Sequence, residues 1–374
     1  MGIFYLGYYA FCMYIVRSRT IRVKKNRNFR PNISLVIPTW NEESTIRGKL
    51  KNTLSLSYPK GKLEVIVIDS GSIDNTRKIV KKFSKRFAKG SKKIRLITEN
   101  KRRGKAAALN KAFKHCKGDI VIISDADCRL DKKILLKSMP YFYDPSIGAL
   151  TGRESIINFD ENVATKTEKK YRDLFYLLRG AESMLDSTYV FDGPFCAFRK
   201  DLISRINRKC VADDTEMALK IKKKGYRVLS IPEAVYFEYA PSKLLARTNQ
   251  KSRRAEGLTQ SMINHFSTFF LNKKYGLFGM LIFPAGIFMH IISSFLLIIS
   301  MITFFLLPQR AFVTLLGIIA SALLIPKTRY IILTYLHSQF ACFIGTLKYT
   351  TSYATSTPDY VWKKIENTRR YGKW

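Results

Sequence analysis

An α/β fold is what this chain predicts: a mostly parallel sheet with helices on both faces, an N-terminal membrane anchor and C-terminal transmembrane helices. Three observations carry that expectation. Short aliphatic runs alternate with amphipathic stretches, the order of β-α-β units joined by right-handed crossovers. Those runs lack the polar alternation of a half-exposed strand, as expected of strands covered on both faces. Residues 277–307, 31 positions, contain no Asp, Glu, Lys or Arg, enough for a membrane-spanning helix with room for tilt.

The elements follow in order. Ile3 to Val16 is apolar and aromatic, and Arg17, Arg19, Arg22, Lys24, Lys25, Arg27 and Arg30 come after it. A cleavable leader carries its charges first, so this order predicts a short anchor that enters the cytoplasm near Arg17; an interfacial helix is the alternative at this length. Strands are expected at Ser34–Pro38, Leu63–Ile68, Ile94–Thr98 and Asp119–Ser124. The helices between them are Asn41–Leu56 (capped by Asn41), Asn75–Phe87 (capped by Ser72 or Asp74) and Lys105–Cys116. Next come a strand at Gly148–Gly152, a long amphipathic helix at Thr165–Leu185 and a short strand or turn at Gly193–Phe198. A helix at Thr215–Lys224, closed by Gly225, leads to a last strand at Tyr226–Ile231. Ala311–Ile325 and Tyr330–Leu347 sit near the lower length limit for a span. Three full spans would put the basic tail outside, so two spans, a partial segment and a cytoplasmic tail are expected.

The formal net charge of +37, from 65 Lys+Arg against 28 Asp+Glu, calls for an anionic partner. The basic residues are scattered, without a nucleic-acid docking motif. Beside apolar segments they point to anionic membrane lipids and to no nucleic acid. The different-class alternative is a basic, membrane-associated nucleic-acid-binding protein, which does not explain why acids end the strands of a basic chain. Six cysteines without a CxxC pair fit free thiols better than a disulfide framework.

Those acids carry the chemistry. Ile120-Val121-Ile122-Ile123 leads to Asp125-Ala126-Asp127, and an i, i+2 spacing continued along a strand puts both carboxylates on one face. At the carboxyl end of a parallel strand, such a pair suits Mg or Mn with positions left for water and phosphate. Asp69 ends the second strand, and Asp213 and Asp214 precede a helix, where capping is the plainer role.

Read together, Val36-Ile37-Pro38-Thr39-Trp40-Asn41-Glu42, Asp69-Ser70-Gly71-Ser72-Ile73-Asp74, Arg103-Gly104-Lys105, Asp125-Ala126-Asp127, Gly193-Pro194-Phe195-Cys196 and Asp213-Asp214 occur in order. Over about residues 32–257 they resemble the inverting family-2 glycosyltransferases of GT-A fold. Gln250-Lys251-Ser252-Arg253-Arg254 is similar to the QxxRW element of membrane polysaccharide synthases of the hyaluronan, cellulose and poly-N-acetylglucosamine type. Two departures stand out: Ser70 occupies the place of a second Asp, and Arg254 that of the Trp in processive enzymes.

The resemblance implies a metal-dependent hexosyltransferase that uses a nucleotide-sugar, with UDP as nucleotide, and a carbohydrate or lipid-linked acceptor. By that likeness Pro38, Thr39 and Glu42 border the base and ribose, and Asp69 contacts uracil or ribose. Lys105 and Asp125 lie near the diphosphate and sugar, Asp127 ligates the metal and Asp214 is the catalytic base. Gln250, Arg253 and Arg254 close over the diphosphate. The physical logic agrees: charge gathers on the leaving diphosphate, where a metal and cations stabilise it. An acceptor hydroxyl must give its proton to a base. The same-class alternative glycosylates a polyprenyl phosphate. The chain then divides into an anchor and linker (1–30), a cytosolic GT-A domain (31–257), an interfacial helix (258–275), a transmembrane region (276–347) and a basic tail (348–374) whose Trp362-to-Arg369 stretch loosely resembles a synthase element.

Overall fold

The protein is described here from a computed structural model that covers residues 2–87 and 93–354. The stretch from Trp362 to Arg369 lies outside the described residues. Helix α1 (Gly2–Ser18) is followed by β1 (Ile33–Thr39), α2 (Ile46–Ser55), β2 (Leu63–Ser70), α3 (Thr76–Arg86), β3 (Ile94–Glu99), α4 (Lys105–Phe113) and β4 (Ile120–Ile123). The chain continues with β5 (Arg129–Leu130), α5 (Ile134–Ser138), β6 (Ile147–Ile156), α6 (Val163–Leu185), β7 (Cys196–Arg199), α7 (Asp213–Lys223) and β8 (Arg227–Glu238). Helices α8 (Leu244–Asn264), α9 (Phe266–Phe269), α10 (Phe283–Ile287), α11 (Ser293–Phe304), α12 (Gln309–Leu324) and α13 (Pro326–Ala354) complete it.

One eight-stranded sheet has the order β3-β2-β1-β4-β7-β6-β8-β5. Its first half, β3 through β4, is parallel, with Ile33 level with both Leu63 and Ile120. Strand β7 then runs antiparallel between β4 and β6 and β5 antiparallel to β8, while β6 and β8 are parallel, so the sheet is mostly parallel, as the sequence suggests, with antiparallel insertions. Four residues of β7 are too few to announce that direction. The strands are apolar on both faces because both faces are covered. Leu35, Val65 and Ile122 pack on one side with α2 and α5, while Val36, Ile66 and Val121 pack on the other with α4 and α7.

Asn41 does not cap α2, which starts at Ile46. It sits in the left-handed region at φ 53° and pins two loops, donating its amide to Ser72 Oγ at 2.8 Å and accepting from Ile73 N at 2.9 Å. The loop chemistry of Asn wins over its capping chemistry.

Among the described residues, two helical stretches are long and apolar enough to cross a membrane: Phe278–Phe304, with mean hydropathy 2.2, and Thr328–Thr351, with 1.3. The first combines α10 and α11 with two π-helical turns, Phe278–Ile282 and Phe288–Ile292, on either side of Pro284. Wider turns around a proline absorb its missing amide donor. Helix α12, with 16 residues, is shorter than a span needs. Helix α1 packs Tyr8, Cys12 and Ile15 against Leu178 and Ala181 of α6 and Ala285 and Met289 beyond them, leaving Ile3, Leu6 and Tyr14 exposed. Helix α8 lies against α13 so closely that a Cβ at Gly345 would come within 2.6 Å of the Ser252 carbonyl oxygen. All six cysteines are free.

Candidate active site

The parallel register brings the ends of β1, β2 and β3 level: Thr39 is opposite Asp69, and Ser70 opposite Glu99. A cavity of about 340 Å³ lies at these ends. Pro38, Thr39, Glu42, Lys105, Asp125, Asp127, Asp214, Gln250, Arg253 and Arg254 all line it, though they come from segments far apart in the chain. Asp69 is not among the lining residues. It is fully buried, paired with Arg77 and accepting from Ser72 N at 3.2 Å, with its Oδ1 unpartnered.

Asp125 and Asp127 are not on a strand face as the spacing suggests. Strand β4 ends at Ile123, and both acids stand in the turn that leads to β5. Lys49 braces that turn from below, donating to Ser124 Oγ at 2.6 Å and to the Cys128 carbonyl at 3.2 Å. The position of Gly193 closes it from above: a Cβ there would lie 2.7 Å from Asp125 Oδ2 and 3.1 Å from Lys105 Nζ. No larger residue fits while those two side chains keep their places.

Lys105, at the start of α4, joins two acids, reaching Asp125 Oδ1 at 3.0 Å and Asp213 Oδ1 at 3.4 Å. Burial works against its ammonium, but Asp125, Asp213 and Asp214 outweigh that and hold its pKa well above the ordinary lysine value. The expected capping role of Asp213 is not what the structure has. Helix α7 begins at Asp213 itself, its N-cap is Ala212, and no side chain caps it. Asp213 is buried against Lys105, with Oδ2 unpartnered. It is Asp214 that takes a backbone amide, from Thr215 at 2.7 Å, while remaining half-buried on the cavity wall. Burial, and then the charge of Asp213, push the Asp214 carboxyl up to about 7. Burial raises Asp213 as well, against the pull of Lys105.

The carboxylates of Asp125 and Asp127 fit a hard divalent cation. Among the described residues no three His, Cys, Asp or Glu side chains converge into a closed cage. One or two carboxylates beside an open cavity is the donor set of a cation that takes its other ligands from phosphate and water.

Across the cavity stand residues that the sequence did not single out. Arg172 and Arg179 of α6 and Lys251 of α8 line it, as does Glu238, which pairs with Arg254 at 3.7 Å. Buried Glu168 gathers Arg172, Arg247 and Lys251 at 3.0, 2.9 and 3.2 Å. The available signal was Glu168, Arg172 and Arg179, spaced i, i+4 and i+11 on one face of α6. His290 and His337 are hydrogen-bonded, to Tyr189 Oη at 3.2 Å and Thr248 Oγ1 at 2.9 Å.

An acid-tipped parallel half-sheet thus faces arginines across one cavity. Residues 34–206 match Glycosyl transferase family 2, and the fold is GT-A-like. The mannosyltransferase PcManGT from Pyrobaculum calidifontis, solved with GDP-Man and Mn2+, is 27% identical, with a TM-score of 0.80 over 92% of this chain and 94% of its own. A probable glycosyltransferase YdaM of Bacillus subtilis is 27% identical over 334 residues, 82% of this chain and 79% of its own. The poly-beta-1,6-N-acetyl-D-glucosamine synthase of Staphylococcus aureus is 26% identical over 276 residues, 71% of this chain and 65% of that enzyme. The chain thus spans about two-thirds of the synthase.

Proposed function

We propose that this glycosyltransferase moves a hexosyl group from a nucleotide-sugar, taken to be a UDP-sugar, to a hydroxyl of a growing, membrane-associated polysaccharide, with inversion. The observation that carries the reading is the convergence of Lys105, Asp125, Asp127, Asp214, Arg253 and Arg254 on one cavity. Asp127, with Asp125 beside it, would hold Mg or Mn; the bound cation screens the charge of the diphosphate. Pro38, Thr39 and Glu42 border the base and ribose. The acceptor oxygen forms a bond to the anomeric carbon, and the bond from that carbon to the diphosphate oxygen breaks. The electron pair leaves with the nucleoside diphosphate, and the hydroxyl proton passes to the Asp214 carboxylate. Lys105, Arg253 and Arg254 offset the charge that develops on the leaving group, and Gln250 lies with them on α8. A single displacement inverts the anomeric centre and needs no protein nucleophile.

The apolar helices fit a multi-pass membrane protein with its catalytic domain on the cytoplasmic side and anionic lipids at its basic surface. Nucleoside diphosphate release by the purified chain in detergent tests the activity, with UDP-N-acetylglucosamine and GDP-mannose as donors, and Mn or EDTA added. Release that depends on Mn supports the reading; none with either donor overturns it. Release from GDP-mannose alone corrects the nucleotide.

A further inference from the structure

The segment that leads into α7 is held from outside. Helix α7 starts at Asp213 behind Ala212, and no side chain caps it, so its own sequence does not fix its entry. Gln260 of α8 supplies the hold. Its Oε1 accepts from Val211 N at 2.8 Å and its Nε2 donates to the Lys209 carbonyl at 2.9 Å, so one buried amide grips a donor and an acceptor of the loop backbone. About one turn earlier, α8 already touches the same loop: a Cβ at Gly257 would lie 2.9 Å from Val211 Cγ1 and from Ala212 Cβ. At the far end, His265 Nε2 stands 3.3 Å from Glu216 Oε2 in the first turn of α7.

Gln250, Arg253, Gly257 and Gln260 follow one another at helical spacing, which sets them along one stripe of α8. The stripe begins in the cavity, lined by Gln250 and Arg253, and ends under the loop whose Val211 and Ala212 line it too. Gln260 is not among the lining residues, so it acts through the loop. Helix α8 cannot back away, because Gly345 leaves no room behind Ser252 and Thr259 Oγ1 meets Thr346 Oγ1 of α13 at 3.2 Å. Two positions past Ala212 stands Asp214, whose carboxyl is pushed up to about 7 by burial and by Asp213. The other charged groups that face it are Lys105 of α4 and Asp192, with the thiols of Cys196 and Cys210 nearby. That burial lasts only while the loop keeps its place.

We infer that Gln260 is a positioning residue for the transfer: through the 209–212 segment it holds Asp214 where that carboxylate meets the acceptor hydroxyl. The inference rests on the reading of Asp214 as the base. It joins two tasks in one rigid element, since the helix that brings Arg253 and Arg254 to the leaving diphosphate also sets the base. The side chain has to be an amide. A carboxylate at 260 could not donate to the Lys209 carbonyl, and an apolar chain of equal length would make neither bond.

Gln260→Met keeps the length of the side chain and loses both hydrogen bonds. Turnover is read as nucleoside diphosphate release by the full chain in detergent, with Mn and whichever of UDP-N-acetylglucosamine and GDP-mannose it cleaves. It should fall ~10²-fold, the cost of a misplacement of about 1 Å. Affinity for the matching nucleoside diphosphate with Mn should stay unchanged, which also reports that the variant is folded. A loosened Asp214 meets more water, and its pKa drops toward the ordinary aspartate value of about 3.9. The acid limb of turnover should therefore move from near 7 to lower pH. Gly257→Ala pushes the same loop from a second point, with α8 unable to yield, and should show the same split in smaller measure. Wild-type turnover in Gln260→Met, or in Gly257→Ala should the first variant not fold, overturns the proposal. So do turnover and nucleotide affinity that fall together with the limb still near 7, the mark of a merely structural role. Asp214→Asn is measured beside them. Full activity there overturns the base reading and the role of Gln260 with it; an inactive Asp214→Asn beside a fully active Gln260→Met overturns the role of Gln260 alone.

Discussion

The two walls of the cavity reach their geometry by different routes. On the sheet wall, Thr39, Asp125 and Asp127 are placed by backbone: parallel register levels the strand ends, and short loops carry the acids just past them. On the helix wall, long buried side chains from α6 and α8 are held by carboxylates: Glu168 gathers Arg172, Arg247 and Lys251, while Glu154 and Asp192 pair with Arg172 and Arg179. The first wall is set mainly by backbone; the second by ion pairs centred on Glu168. Local damage to the sheet wall should therefore remove chemistry and spare the fold. Loss of the Glu168 carboxylate on the helix wall should instead damage the fold.

The sharpest break is Asp127→Ala, which should take Mn-dependent transfer to background while the melting temperature stays put, because a loop acid contributes little to the core. Retained activity would remove Asp127 from the metal. Asp214→Asn comes next: turnover should fall ~10²–10⁴-fold with donor affinity kept, the range of a lost general base. Asp213→Asn, which weakens only the contact with Lys105, should cost roughly tenfold. If the two results exchange places, the base is Asp213.

Glu168→Gln tests the other wall. Leaving three buried cations around a neutral amide should cost about 3–5 kcal/mol of stability, read from thermal or denaturant unfolding. A change within error would mean that the cations stand without it. Burial raises the Glu168 carboxyl, but Lys251, Arg172 and Arg247 hold it down to about 2. A depressed carboxylate lends stability that is complete above the ordinary glutamate pKa of about 4.3 and is lost as pH falls toward 2. In the variant that acid-induced loss should shrink.

The pH profile of turnover separates the walls again. A base pushed up to about 7 is mostly protonated below that value, so activity should drop up to ~10-fold per pH unit as pH falls through 7. An ordinary aspartate would show no such limb there. The smallest effect is expected from Arg254→Lys, which keeps the charge and loses the fork, roughly a tenfold loss in turnover. No change on that substitution would make Arg254 a partner of Glu238 only.

Much of the sheet wall was legible because period and punctuation encode it. Ile120 to Ile123 can only be a buried strand, and acids after such a strand stand at a ligand-binding edge. What the chain could not announce was direction and depth. The four residues of β7 carry no mark of antiparallel pairing, and nothing in the sequence tells that Asp69, inside β2, turns to Arg77 while Asp125, past the end of β4, pairs with Lys105. Asp213 and Asp214 read as a helix cap and a base; the cap disappears because α7 begins one residue too early to be capped by either. The helix wall was hidden for another reason. Glu168, Arg172, Arg247 and Lys251 lie on helices with a surface-like sequence, and only tertiary packing buries them.

The close contact of Gly345 with α8 sets a limit on how this sequence can drift. Much of α13 faces outward with apolar side chains such as Ile331, Leu333 and Phe340, where one apolar residue can replace another at little cost. At 345 there is room for a hydrogen and nothing more, since a Cβ would also sit 2.7 Å from Ala255 Cβ and from Glu256 N, one and two residues beyond Arg254. A helix that is permissive over most of its length thus carries one position where a single methyl group would move the arginines of the cavity.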